Sequence, residues 1–447
     1  MADVVFLGPT LPADEAAALL PGVRVLPPVR HGDLLRLAPG PGDRVLIVDG
    51  LFLQTPPVRH REILLALERG AVVAGSSSMG ALRAAELHPY GMRGAGRVFG
   101  LYRDGVVTGD DEVAMAYGPA EDGHRALSEP LVNVRVSLER ATAAGVVTAA
   151  EAAVLLALAR SVPFRGRSAR ALARAADRAL TDDSARRWLD WARGHPVDVK
   201  AEDARELLRL AAAGALAPAG AGDRPIRNVR TYLLERWQAR HGGQELAGRW
   251  VPDTAVVAAL LALHPDVPAL RRRDLLGRLA GPGAGAEARA VELARARGLL
   301  GSDGVTPGGW LGPGERALPP EEAAVRVLCR AFGTLEAACR SERALPAELL
   351  TADIVAATRR FVRRAEAVAD RLPRPDPHRP DRRLYFRAEA IDALFGRLWD
   401  RPAEELASAA ADRGFADLVA FRAAVEPFTA LLTVGGAPEF PSVRTGG

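Results

Sequence analysis

The residues best suited to chemistry lie in one short segment, Val72-Val73-Ala74-Gly75-Ser76-Ser77-Ser78-Met79-Gly80-Ala81-Leu82-Arg83. A buried-type strand runs straight into small residues and then into a helix. Ser76-Ser77-Ser78-Met79-Gly80 has the small–x–serine–x–glycine spacing of a nucleophile elbow, in which small flanking residues let the chain turn sharply and hold the central hydroxyl up at the strand end. Ser78 is the first nucleophile candidate and Ser77 the second. The backbone N–H of Met79, with Gly80 beside it, is placed to stabilise an oxyanion, aided by the positive end of the helix. The same residues also have plainer readings. Serines before a helix commonly cap it, and a strand–loop–helix unit binds phosphate through backbone N–H groups alone. No lysine follows the loop at Walker spacing, so a P-loop is excluded.

A serine nucleophile needs a base. His60, His88 and His124 are near enough in sequence to serve, although a lone histidine is more often a hydrogen-bonded scaffold residue. The other candidate is Lys200, in Val197-Asp198-Val199-Lys200-Ala201, and it is the only lysine among 447 residues. Almost every other basic residue is arginine, as a GC-rich bias in composition would produce. A surface salt bridge tolerates drift to arginine, but a site that needs a neutral amine does not, because arginine is not deprotonated in proteins. Serine–lysine pairs are an established variant of the nucleophile–base pair. Burial must then lower the lysine pKa, and Val197 and Val199 supply an apolar setting. Arg83, one turn beyond the serines, could hold a carboxylate, or simply pair with Glu86 three residues on. Asp49 ends a strand and is expected to line the same mouth. Asp111-Glu112 reads as a solvated acidic turn before it reads as a metal site.

The elements that must position these residues alternate. Asp3–Leu7, Val23–Leu26, Arg44–Val48 and Ala71–Ala74 read as strands. Ala13–Leu20, Val58–Arg69 and Met79–Leu87 read as helices, which together predict a mainly parallel sheet with helices packed on it. From Leu127 to Leu210 the pattern is helical, over Asn133–Ala144, Ala149–Ala159, Ser168–Leu180, Ser184–Arg193 and Ala201–Ala213. The expected organisation is an α/β core over 1–212 carrying the serine–lysine site, a linker over 213–226, and a mostly helical region over 227–447. That last region is interrupted at Gly281–Gly285, Gly304–Pro320 and Leu372–Arg382. Its tryptophans, among them Trp237, Trp250, Trp310 and Trp399, read as core residues.

Composition limits the function further. A hydrophobic content of 48% supports sizeable cores. No apolar run approaches a membrane span, and Met1-Ala2-Asp3 opens no secretory signal, so a cytoplasmic protein with no membrane association is expected. The net charge of +4 is mild and interleaved with acids, which does not make a nucleic-acid footprint. Cys329 and Cys339 lack metal-ligand partners at useful spacing and read as buried thiols. No metal and no cofactor are expected.

The motifs resemble those of the TfuA family. They run in order as Phe6-Leu7-Gly8-Pro9, His31-Gly32-Asp33-Leu34, Asp49-Gly50, His60-Arg61-Glu62-Ile63-Leu64, Ser77-Ser78-Met79-Gly80-Ala81-Leu82-Arg83-Ala84-Ala85-Glu86-Leu87 and Gly91-Met92. Tyr102-Arg103-Asp104-Gly105-Val106, Asp110-Asp111-Glu112-Val113-Ala114 and Leu127-Ser128-Glu129-Pro130-Leu131-Val132-Asn133-Val134-Arg135 follow. The resemblance covers roughly the first two hundred residues. It implies a partner of YcaO enzymes, which use ATP to activate a peptide amide so that sulfur replaces its oxygen. It further implies that the protein hydrolyses the thiocarboxylate of a small ThiS-like carrier, releases sulfide near the YcaO partner, and helps recruit the ribosomal peptide or protein substrate. The family's serine–lysine pair falls here on Ser77-Ser78-Met79-Gly80 and on Lys200. His60 and Glu62 also match family positions.

Three readings compete at this level. The first is a serine–lysine hydrolase of a carrier thiocarboxylate. The second is a non-catalytic scaffold that docks YcaO, carrier and peptide. The third is a phosphate or nucleotide binder. It has only the weak glycine pattern Gly91-Met92-Arg93-Gly94-Ala95-Gly96, which follows no apparent strand.

Overall fold

The computed structural model describes residues 3–51, 55–180, 182–216, 223–227, 231–281, 283, 285–298, 310–337, 345–371 and 386–441. The chain forms two compact units, Met1–Thr231 and Tyr232–Gly447. Residues 217–222 of the expected linker lie outside the described residues, as do Cys339 and the proline-rich stretch after Leu372.

The first unit is built on five parallel strands in the order β2-β1-β3-β4-β5. They are β1 (Asp3–Phe6), β2 (Arg24–Leu26), β3 (Arg44–Ile47), β4 (Val72–Gly75) and β5 (Arg93–Gly94). Between and after them come α1 (Ala13–Leu19), α2 (Asp33–Leu37), α3 (His60–Glu68), α4 (Met79–Leu87) and α5 (Gly96–Arg103). Then follow α6 (Leu131–Ala143), α7 (Ala149–Ser161), α8 (Ala169–Ala179), α9 (Ser184–Gly194) and α10 (Val199–Ala212). Strand side chains alternate between faces, and here both faces are buried. Val5, Leu46, Val48, Val72 and Ala74 pack with Ala16 of α1 and Ala201, Ala204, Leu207, Leu208 and Ala211 of α10. Val4, Phe6, Val45, Ile47 and Val73 pack with Leu34, Ile63, Ala66, Met79 and Ala84 from α2, α3 and α4. That two-sided burial is why these strands read as continuous apolar runs. Helices α6–α9 close a separate core around Leu131, Leu138, Leu155, Leu172 and Trp188, with Trp188 Nε1 donating to Ser137 Oγ at 3.0 Å.

The direction of α10 decides where Lys200 sits. Arg44, the first residue of β3, donates from Nη1 to Ala211 O at the far end of α10. Eleven residues of helix from Ala211 back to Lys200 span roughly 17 Å, and five residues of strand from Arg44 to Asp49 span roughly the same. Helix and strand run antiparallel, so the first turn of α10 lies level with the carboxyl ends of the strands.

The second unit is mostly helical. It contains α11 (Tyr232–His241), the hairpin of β6 (Gly243–Leu246) and β7 (Arg249–Pro252), α12 (Asp253–Leu263), α13 (Val267–Ala280) and α14 (Ala286–Ala296). After these come α15 (Pro320–Ala337), α16 (Ala352–Ala369), α17 (Ala388–Trp399), α18 (Leu406–Asp412) and α19 (Leu418–Thr433). The hairpin was not foreseen. Its turn is Ala247-Gly248, both at positive φ, which is the geometry of a tight two-residue connection but lacks the usual Asn-Gly signal. Aromatic rings fill this core: Phe421 packs against Phe395, Phe415 and Trp399 with centroids 4.9–5.3 Å apart. Trp399 also donates to Ala262 O at 2.8 Å, so it works as a core residue. Among the described residues no single helix is long and apolar enough to cross a membrane.

Candidate active site

The serine loop is shaped by two glycines that face each other. A Cβ on Gly75 would lie 2.1 Å from Gly80 O, and a Cβ on Gly80 would lie 1.7 Å from Ile47 O. Only glycine at both places lets the first turn of α4 rest directly on β3 and β4. Across the join, Ser76 N–H donates to Ile47 O at 3.1 Å and Gly80 N–H to Val48 O at 3.3 Å. Between these anchors the chain reverses at Ser77, whose φ is +67°. That left-handed conformation is uncommon for a residue with a side chain and is characteristic of strained turns at functional sites.

The three hydroxyls differ. Ser76 Oγ and Ser77 Oγ bond each other at 3.0 Å. Ser78 precedes α4 but its side chain makes no capping bond, so the capping reading of this serine does not hold. Ser78 N–H is taken by Ser76 O at 2.7 Å. The next N–H, that of Met79, has no acceptor among the described residues; it opens α4, where intrahelical partners are lacking. The oxyanion donor following Ser78 is therefore available, while the one following Ser77 is spent. All three serines are buried, as is Met79. Met79 fills the space that a side chain at Gly50 would need, with its Cγ 2.6 Å from that Cβ position.

Lys200 is 2% exposed. Burial drives its pKa below the ordinary lysine value, opposed by the charges of Asp49, Asp198 and Glu129. Its Nζ donates to Val113 O at 3.2 Å and to Met115 Sδ at 3.3 Å. A protonated amine has three N–H donors and would bury one without a partner, which is costly; a neutral amine has two donors and one lone pair. The two acceptors thus match the neutral form. Its neighbours bracket the serine loop: Val199 shares a core with Ala81, just after the serines, and Ala201 shares one with Ala74, just before them. No hydrogen bond joins Lys200 to Ser76, Ser77 or Ser78 among the described residues.

Other predicted residues are engaged elsewhere. The strand order makes the crevice between β1 and β3 the natural ligand mouth, and Asp49 closes it. Its carboxylate accepts from Gly8 N–H at 2.9 Å, Thr10 N–H at 3.0 Å and Thr10 Oγ1 at 2.6 Å. Arg83 donates to Glu86 at 2.6 Å and to Val58 O at 3.2 Å, and His60 Nε2 lies 2.7 Å from the same Glu86 oxygen. These two form a network at the end of α4, and Arg83 takes the ion-pair role weighed for it. Glu62 is buried and holds His31 Nδ1 at 2.6 Å and the N–H groups of Gly32 and Arg59. His88 Nδ1 bonds Ala85 O, and His124 packs edge-on against Tyr117. Glu112 accepts from both Arg135 and Arg160.

Sequence reading missed Asp203. Its two carboxylate oxygens accept from Arg97 N–H at 2.8 Å and Val98 N–H at 2.7 Å. It fills the space where a side chain on Gly96 would stand, 2.2 Å away. The helix N-terminus after the glycine pattern, where a phosphate would dock, is thus occupied by the protein's own carboxylate. Burial pushes Asp203 up to about 6, against an ordinary value of 3.8. The folded state holds this proton more tightly than the unfolded state does. Its stabilising contribution is therefore full below about pH 4 and lost as pH rises through about 6. Urea unfolding at pH 4.5 and pH 7 should show a loss on the order of 1–3 kcal/mol from this group, absent in Asp203→Asn. Equal pH dependence in both proteins would contradict the assignment.

The second unit has a cavity of about 230 Å³ whose wall includes Arg271, Arg272, Arg326, Arg330 and Cys329. Its charges are internally matched, with Arg330 bound to Glu315 and Asp412, Arg326 to Glu315 and Arg272 to Glu322. Burial pushes the Cys329 thiol up to about 11, which makes it a poor nucleophile.

Residues 49–168 match the family described as TfuA-like protein. No curated protein matches the chain. The matched stretch opens at Asp49 and includes the serine loop, α4 and the segment 110–135; it ends before Lys200. Over residues 49–168 the chain is similar to the TfuA-like family.

Proposed function

We propose that this protein is a serine–lysine hydrolase that cleaves the thiocarboxylate of a ThiS-type carrier. The sulfide supplies a YcaO partner for ATP-dependent thioamidation of a ribosomal peptide or protein. The observation that carries the reading is Lys200: a buried amine in a setting that fits its neutral form, bracketed by residues that flank the serines, at the sheet edge where Ser78 opens α4.

The chemistry follows from the groups present. Ser78 Oγ attacks the carbonyl carbon and its proton passes to Lys200 Nζ. The developing oxyanion meets the Met79 N–H. The proton then moves from Lys200 to sulfur, the carbon–sulfur bond breaks, and hydrosulfide leaves; it is a far weaker base than an amine and needs little help. A water gives its proton to Lys200, adds to the Ser78 ester, and the serine recovers the proton as the ester breaks. In balance, a thiocarboxylate and one water become a carboxylate and hydrogen sulfide. Asp49, already satisfied by Gly8 and Thr10, shapes the mouth rather than reacting.

A scaffold without chemistry is the competing reading, favoured by the missing hydrogen bond between Lys200 and the serines. The deciding experiment is sulfide release from a thiocarboxylated carrier, with intact-mass detection of a carrier ester on Ser78 after rapid quenching. Release with a trapped ester is the expected result. No release by the wild type with its cognate carrier would leave the scaffold.

A further inference from the structure

Lys200 does not stand alone at the start of α10. Asn133, buried on α6, accepts Val199 N–H on Oδ1 at 3.1 Å and donates from Nδ2 to Glu129 at 2.9 Å. One amide therefore grips both the backbone just before Lys200 and the carboxylate of Glu129. The segment carrying Glu129 is tied in turn to the segment that receives the amine. Ser128 Oγ accepts Ala116 N–H at 2.7 Å, and Leu127 N–H donates to Ala116 O at 2.8 Å. Val113 and Met115, the two acceptors of Lys200, sit on that strip of chain. The lysine, its acceptors and Glu129 are thus parts of one hydrogen-bonded assembly.

We propose that Glu129 and Asn133 are positioning residues for Lys200: Asn133 fixes the start of α10 and holds the Glu129 carboxylate where its charge acts on the amine. This rests on the reading of Lys200 as the base. The charged groups acting on the amine are Asp49 at the end of β3, Asp198 at the start of its own helix, and Glu129 before α6. Asp49, the foremost of the three, is held by Gly8 and Thr10, Asp198 caps α10 through Ala201 N–H at 3.1 Å, and Glu129 is the one tied through Asn133 to the backbone just before Lys200. Glu129 feels Asp198, Lys200 and the buried Arg167, and burial raises its own pKa. A negative charge near Lys200 favours the protonated amine, and its removal favours the neutral one.

The chain's single lysine makes the test direct. Lysine labelled with carbon-13 at Cε gives one lysine signal, whose pH titration reports Lys200 whether or not the protein is active. Glu129→Gln keeps an oxygen for Asn133 and deletes only the charge. Its Lys200 midpoint should fall by about one pH unit, and the acid limb of sulfide release should move the same way. Glu129→Asp should return the midpoint toward the wild type, which a merely structural role would not do. Should Glu129→Gln fail to fold, Asn133→Ala releases the carboxylate without removing it and is read for the same downward shift. A midpoint that stays at the wild-type value in a folded variant overturns the proposal. Absence of sulfide release by the wild type would instead remove the hydrolase reading, and the titration would still decide the coupling.

Discussion

Lys200→Met and Ser78→Ala should each lower sulfide release by about 10²–10⁴-fold, the range expected when a positioned base or its nucleophile is removed. Methionine matches the length of the lysine stem and suits an apolar site, so the variant should fold, and with less desolvation cost than the wild type. Lys200→Arg should be as inactive, because a guanidinium stays charged at the pH of the reaction. The double variant should be no worse than either single one, since two groups that act as one unit do not contribute additively. Ser77→Ala is the control. Its hydroxyl is bonded to Ser76 and the N–H that follows it is taken, so it should retain most of the activity. Measurement is by initial rates of sulfide release, with carrier affinity followed separately. Lost rates with unchanged affinity place these residues in the chemistry. Unchanged rates in Lys200→Met would end the hydrolase assignment.

The parallel sheet was legible because its strands are buried on both faces. Asp3–Leu7, Arg44–Val48 and Ala71–Ala74 read as short unbroken apolar runs, and each lies within a residue or so of an observed strand. Helix α4 matches its expected bounds, Met79–Leu87, since small residues precede it and an apolar stripe continues through it. By contrast β5 is only Arg93–Gly94, too short and too polar to carry a pattern, and α5 opens on a glycine. The start of α10 was placed late, at Ala201, because Asp198 as its cap cannot be told from any other aspartate in a loop.

The serine loop was legible for a local reason, and the rest of the site was not, for a non-local one. Ser78, Met79 and Gly80 announce themselves by spacing within five residues. Lys200 was visible only as a compositional exception. What holds it in place comes from 85 and 87 residues away in Met115 and Val113, and Asn133 reaches across 66 residues to Val199. Asp203 is likewise 105 residues from the helix end it occupies. No periodicity encodes such pairings. They exist because α10 lies antiparallel to the strands and brings its first turn to their carboxyl ends. Arg83 shows the reverse case, since Glu86 lies three residues on along α4 and the ion-pair reading was available from sequence, whereas the His60 contact to Glu86, 26 residues away, was not.

Gly80→Ala should cost about 3 kcal/mol or more of stability, the upper range for overpacking a close contact. The added methyl would lie 1.7 Å from Ile47 O and 3.2 Å from the Gly75 Cα, both in backbone that is pinned by strand pairing. Nothing there can swing aside as a long side chain would. Relief requires α4 to lift off β3 and β4, which breaks the Gly80 N–H bond to Val48 O and carries Ser78 and Met79 away from the mouth. Folded protein that survives should therefore also be inactive, whatever its affinity for the carrier. Gly100→Ala is the matched control: this glycine lies within α5 with nothing within 4 Å of the new methyl, and the change should stabilise by about 0.5–1 kcal/mol through helix propensity alone. Urea midpoints of the two variants, measured side by side, separate the effect of the site from the effect of the residue type. Equal and small changes in both would mean that the first turn of α4 does not rest on the sheet, and the geometry assigned to the oxyanion donor would go with it.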